Sequence, residues 1–208
     1  MQPLRNDQAV IRVWDLFVRL FHWTLVLLFF SAYITGETHS NEIHLWLGYG
    51  LTGLLLARLV WGLIGTPYAR FRSWLYSPAE IWRYVRLSLQ GNPPHYTGHN
   101  PLGAVMVITL LLLLSVLVTT GLLLAGAIEF EGPLLTWTAA IDDARAYALL
   151  ALHEIIATLM LGLVSLHVCG AIMASWQHHE NLIRAMWTGY KKNPHPLPSE
   201  TPAQRREQ

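Results

Sequence analysis

Residues 151–167 read ALHEIIATLMLGLVSLH, an oily run interrupted by His153 and His167. Imidazole is costly in such surroundings, and ionisable residues inside membrane-length segments default to functional candidates. The run belongs to a longer apolar stretch, about 146–176, and three others accompany it, at about 14–36, 42–64 and 101–126. Each reaches the ~20 residues that a helix needs to cross a bilayer. Of the 208 residues, 53% are hydrophobic and only 13% charged, about half the charged share of an ordinary soluble domain. The expectation is an all-α membrane protein, a four-helix transmembrane bundle forming one domain over residues 1–192. The Pro-, Gln-, Arg- and Glu-rich stretch 193–208 reads as a disordered tail.

The placement of charge sets the orientation. Eleven of the fourteen Lys and Arg residues fall near the N-terminus (Arg5, Arg12), in the 65–100 connection (Arg70, Arg72, Arg83, Arg86) or after the fourth crossing (Arg184, Lys191, Lys192, Arg205, Arg206). The other two connections hold Arg145 with Glu37, Glu42, Glu129, Glu131, Asp142 and Asp143. By the positive-inside rule both termini are expected in the cytoplasm of a bacterial inner-membrane protein, and four crossings require the same parity. Within the 65–100 connection, SPAEIWRYVRLSL opens with Ser77, Pro78 and Glu80. These are the elements of a capped start, so a short interfacial helix is expected on the cytoplasmic side. ENLIRAMWTGYKK gives a second basic, aromatic segment at the same surface. The first apolar run is longer than a signal-peptide core and reads as a retained crossing.

Ten histidines are present. His39, His95, His99, His178, His179 and His195 fall in loops, the tail or helix ends, where an ordinary solvated side chain is expected. His22, His44, His153 and His167 fall inside crossings. On the fourth, the fourteen-residue interval is ~21 Å of rise and leaves the two rings about 40° apart on one face. His22 on the first crossing matches His167 in depth, toward the inside. His44 on the second matches His153 more loosely, toward the outside, and a tilt of ~20° absorbs the difference.

Two imidazoles from different helices at each of two levels limit the chemistry. A zinc site asks for three or four protein ligands, and a di-iron site for several inward glutamates; here only Glu154 lies within the crossings. HEIIA at 153–157 lacks the second histidine of the zinc-protease motif. No Cys-x-x-Cys-His occurs, and the single cysteine, Cys169, lies within the fourth run. Haem iron asks for only two axial ligands, and neutral imidazole suits it. Two b-type haems stacked across the membrane are the economical expectation. Core histidines hydrogen-bonded between helices are the bland alternative. Arg58, fourteen residues after His44, falls on the same face one level lower, where it either pairs bidentately with a haem propionate or snorkels to headgroups. Arg19, one turn before His22, is a second cofactor candidate, with snorkelling favoured. Gly48 and Gly62 on that face either admit a flat macrocycle or serve helix packing.

RVWDLFVRLFHW (12–23), IHLWLGYGLTGLLLARLVWGLIG (43–65), YARF (68–71), GHNPLGAVMV (98–107), LHEIIATLMLGLVSLHVCG (152–170) and ENLIRAMWTGYKK (180–192) together resemble bacterial cytochrome b-561 and the related b-type cytochrome subunit of nickel–iron hydrogenases. The resemblance covers about residues 11–192. It implies a four-helix di-haem protein whose ligands match His22, His44, His153 and His167. It further implies electron exchange between the membrane quinone pool and a redox partner outside, such as a periplasmic cytochrome c or a hydrogenase. A stand-alone quinone-linked oxidoreductase, taking electrons from a small reductant at the outer haem, is the alternative. A basic funnel would favour an anionic substrate there, and the acidic outer loops speak against one.

Overall fold

The computed structural model describes residues 10–138 and 140–192; the expected disordered tail lies outside the described residues. Four long apolar helices are present: α1 (Leu16–Glu37), α2 (Asn41–Ile64), α4 (Pro101–Ala127) and α6 (Asp143–Gln177). Between them lie α3 (Pro78–Leu89) and α5 (Leu135–Thr138), and α7 (Leu182–Thr188) follows α6. The protein is a multi-pass, all-α transmembrane bundle. The last crossing is longer than its apolar run suggests, because Asp142 caps it by accepting from the Arg145 N–H and polar turns extend both ends.

Side chains that satisfy free backbone donors fix where helices begin. Asp15 accepts from the Val18 N–H at 2.8 Å to start α1, and Asn100 accepts from the Gly103 N–H at 2.7 Å to start α4, with Pro101 in its first turn. The expected cap of α3 is a reciprocal box: the Glu80 N–H donates to Ser77 and the Ser77 N–H donates to Glu80. Trp82 and Leu89 of α3 are exposed while Tyr84 is buried, the division of an interfacial helix.

The structure adds an element that three-residue patterns cannot announce. Strands β1 (Val10–Arg12) and β2 (Tyr190–Lys192) pair antiparallel, with Ile11 opposite Lys191. The Gly189 carbonyl continues the ribbon by accepting from the Val13 and Trp14 N–H groups at 2.9 and 3.1 Å. Gly189 itself has φ +90°, a conformation glycine adopts without a Cβ penalty. The N- and C-terminal segments are thereby tied at one end of the bundle, called here the terminal end; the other is the far end.

α1 packs on α2, α2 on α4 and α4 on α6, while α6 makes few close backbone approaches to α1 or α2. The bundle centre is a dry layer of Phe29, Leu55, Leu114, Leu117, Ile156 and Met160. In sequence these residues fall between the two levels at which histidines occur on α1, α2 and α6.

Candidate functional site

At the far end, His44 of α2 faces His153 of α6, with ring centroids 6.2 Å apart and planes at 80°. Each ring is fixed from behind by a third helix. The His44 Nδ1 lies 2.8 Å from the Ala32 carbonyl of α1. A carbonyl only accepts, so Nδ1 carries the proton. The His153 Nδ1 lies 2.8 Å from the Thr120 hydroxyl of α4, which itself donates to the Leu117 carbonyl at 2.9 Å. With that hydroxyl proton on the Leu117 carbonyl, the His153 Nδ1 is the donor to Thr120, and in this tautomer both rings keep the lone pair of Nε2 free, as a metal ligand needs. Glycine permits these approaches: a Cβ at Gly36 or at Gly121 would press within 3.3 Å of the imidazole it backs.

The space beside the pair is an apolar cavity lined by Phe29, Tyr33, Gly48, Leu117 and Gly121 among others. A Cβ at Gly48 would meet nothing within 4 Å, so that face of α2 is open. Two imidazoles that would share one metal at about 2 Å per nitrogen, with ~1 Å more to each ring centre, would have centroids about 6 Å apart. The observed 6.2 Å meets that requirement. Among the described residues no group of three or more His, Cys, Asp or Glu side chains is gathered for a metal. Two imidazoles alone suit iron in a macrocycle that supplies the other ligands.

At the terminal end, His22 of α1 lies within electrostatic reach of His167 of α6. The His22 Nδ1 and the neighbouring Trp23 Nε1 are closed off without a partner, although buried polar atoms are nearly always paired. Arg58 is 3% exposed and does not snorkel. Its Nη2 donates to the Ala69 carbonyl at 3.1 Å, and its guanidinium stands 4.8 Å from the Trp74 ring centre and 5.4 Å from that of Phe71. The connection after α2 thus folds back over the cation. Phe71 takes the room left by Gly62, where a Cβ would run into its ring, so Gly62 serves packing and not a macrocycle. Arg19 uses Nη1 to donate to the Trp187 carbonyl at 2.7 Å, linking α1 to α7, and its Nε lacks a partner.

Three features here escaped the sequence reading. His99 is not a solvated loop side chain. Its ring lies 4.7 Å from Trp14 and 5.0 Å from Trp74, and its Nδ1 is closed off without a partner. Burial first, then the Lys191 and Arg58 cations, push its pKa down to about 3. The available signal was position: His99 immediately precedes the Asn100 cap, where side chains commonly pack back against the helix. Asp15 also went unremarked. Its Oδ2 accepts from Thr66 at 2.6 Å and Trp61 at 3.0 Å. Burial raises its pKa, but the hydrogen bonds from Thr66, Val18 and Trp61 outweigh that and leave it lowered. Finally, His95 and His178 are not isolated: their rings are 5.3 Å apart, and His95 lies 3.3 Å from Glu180.

The family described as prokaryotic cytochrome b561 matches residues 13–189. Probable Ni/Fe-hydrogenase B-type cytochrome subunits of Azotobacter vinelandii and of Azotobacter chroococcum mcd 1 are each 31% identical over 124 residues, covering 47% of this chain and 52% of the relative. The chain thus spans about half the length of the curated relatives it matches. No solved structure matches significantly. The apolar crossings and the family match agree: the chain belongs to the prokaryotic cytochrome b561 family and is a multi-pass membrane protein.

Proposed function

We propose that the protein carries electrons across the bilayer through two b haems, one held by His44 and His153 at the far end and one by His22 and His167 at the terminal end. The observation that carries this reading is the far-end pair, with 6.2 Å between ring centres and each Nδ1 hydrogen-bonded to a neighbouring helix. Haem supplies reversible one-electron chemistry. The chain's residues would supply two imidazoles per level to hold it, with a dry layer between the levels. The pairing of His22 with His167 is supported by their matched depth along α1 and α6 and by the unpartnered His22 Nδ1.

The terminal end faces the cytoplasm and the far end the periplasm, in keeping with the arginine-rich connections at one and the acidic loops at the other. Membrane quinone or quinol exchanges electrons from within the bilayer. A periplasmic redox protein, a cytochrome c or a hydrogenase-like partner, meets Glu129, Glu131, Asp142 and Asp143 at the far end. The hydrogenase partner is suggested by what the Azotobacter relatives are called.

A pyridine haemochrome assay on the purified full-length chain tests this. Two haems b per chain are expected; a colourless polypeptide from haem-replete cells refutes the reading. Quinol oxidation with and without an added periplasmic cytochrome c then tests the proposed partners.

A further inference from the structure

The terminal end concentrates positive charge and idle donors to a degree that a protein interior does not tolerate alone. Arg58 is almost wholly buried, makes no ion pair among the described residues, and leaves Nη1 unpartnered. Asp15 is the acid that acts on it electrostatically, but both Asp15 oxygens are engaged by Val18, Trp61 and Thr66. His99 likewise leaves Nδ1 closed off and unpartnered. One indole joins the two: the Arg58 guanidinium stacks over Trp74 at 4.8 Å, and the His99 ring meets Trp74 at 5.0 Å. His99 also lies within electrostatic reach of Arg58, of Lys191 and of His167.

A guanidinium cut off from water asks for an anion, and the two unpartnered nitrogens on groups that share Trp74 offer it two donors once His99 carries its proton on Nδ1. A carboxylate answers both requirements. A quinone head group would offer neutral oxygens only and leave the buried charge uncompensated. We infer that Arg58 and His99 together grip a propionate carboxylate of the haem at the His22–His167 level, with Nη1 and Nδ1 as the donors. This rests on the di-haem reading above. It makes His99 a cofactor-binding residue supplied by the loop before α4, a helix that contributes no axial ligand, and Trp74 the surface that aligns both donors.

Resonance Raman spectroscopy reads the inference, because propionate bending modes move to lower frequency when a hydrogen-bond donor is lost. The full-length protein is prepared in a His44→Ala background, so that only the terminal-end haem contributes. His99→Phe and Arg58→Met are each expected to lower that mode, and Arg58→Met to lower the midpoint potential as well, since a lost cation disfavours the added electron. His99→Gln, which keeps a donor, is expected to retain the parent mode and haem content. Retention of the parent frequency in both His99→Phe and Arg58→Met, in a chain that still carries the haem, overturns the inference while leaving the di-haem reading standing. Equal loss of haem from His99→Phe and His99→Gln also overturns it, by assigning His99 to the fold. A chain without haem in the parental sequence defeats the di-haem reading itself.

Discussion

The Thr120 hydroxyl donates to the Leu117 carbonyl at 2.9 Å and stands 2.8 Å from the His153 Nδ1, so one oxygen couples the α4 backbone to the imidazole of α6. Partners behind a metal-bound histidine fix its tautomer and orientation, and their loss costs about 10–100-fold in affinity. Thr120→Val is expected to weaken haem retention at the far end by that factor and leave the other haem untouched. Thr120→Ser keeps the oxygen and is expected to behave as the parent. Competitive haem extraction by an apo-globin, followed at the two spectral components, measures both.

The four histidine variants are expected to fall into two classes. His44→Ala and His153→Ala remove the same haem signal; His22→Ala and His167→Ala remove the other. Redox titration with optical detection separates the components, and losses grouped differently would break the proposed pairing.

Asp15 gives a pH dependence with a definite sign. Its folded pKa lies below the ordinary carboxylate value of 3.8, so its contribution is complete above that value and disappears as pH falls through the lowered one. Asp15→Ala is expected to cost about 1–3 kcal/mol at neutral pH, for the lost cap and the stranded Thr66 and Trp61 donors. The gap in thermal midpoint between parent and variant stays constant from neutral pH down to the carboxylate range and narrows below it. A gap that widens on acidification contradicts the assignment.

Gly189 combines φ +90° with a carbonyl that receives two N–H groups, and a Cβ there would come 2.6 Å from the Trp14 carbonyl oxygen. Gly189→Val is expected to cost roughly 1–3 kcal/mol in backbone strain and to release the N-terminal segment. Faster proteolysis ahead of α1, with both haems retained, is the outcome to look for in limited digestion.

The crossings were legible because membrane length and apolarity are properties of contiguous residues, and the Ser77–Glu80 cap because it is a local pattern. The opposition of His44 and His153 was legible from depth along the helices. What depth does not encode is which neighbour stands behind each ring. Thr120 and Ala32 looked like ordinary helix residues in apolar runs, and only the lateral packing of α1 and α4 reveals their contacts. His99 differs for a related reason: loop position suggests solvent, but the connection after α2 folds back and sets Trp74 against its ring, which also meets Trp14. The ribbon joining residues 10–12 to 190–192 pairs segments nearly the whole chain apart, at a length too short for periodicity to register.

That ribbon leaves Val10 and Lys192 as paired neighbours. A donor and an acceptor fluorophore placed at residues 10 and 192 would therefore sit side by side with all four crossings strung between them, and their energy transfer would report whether the ribbon is closed.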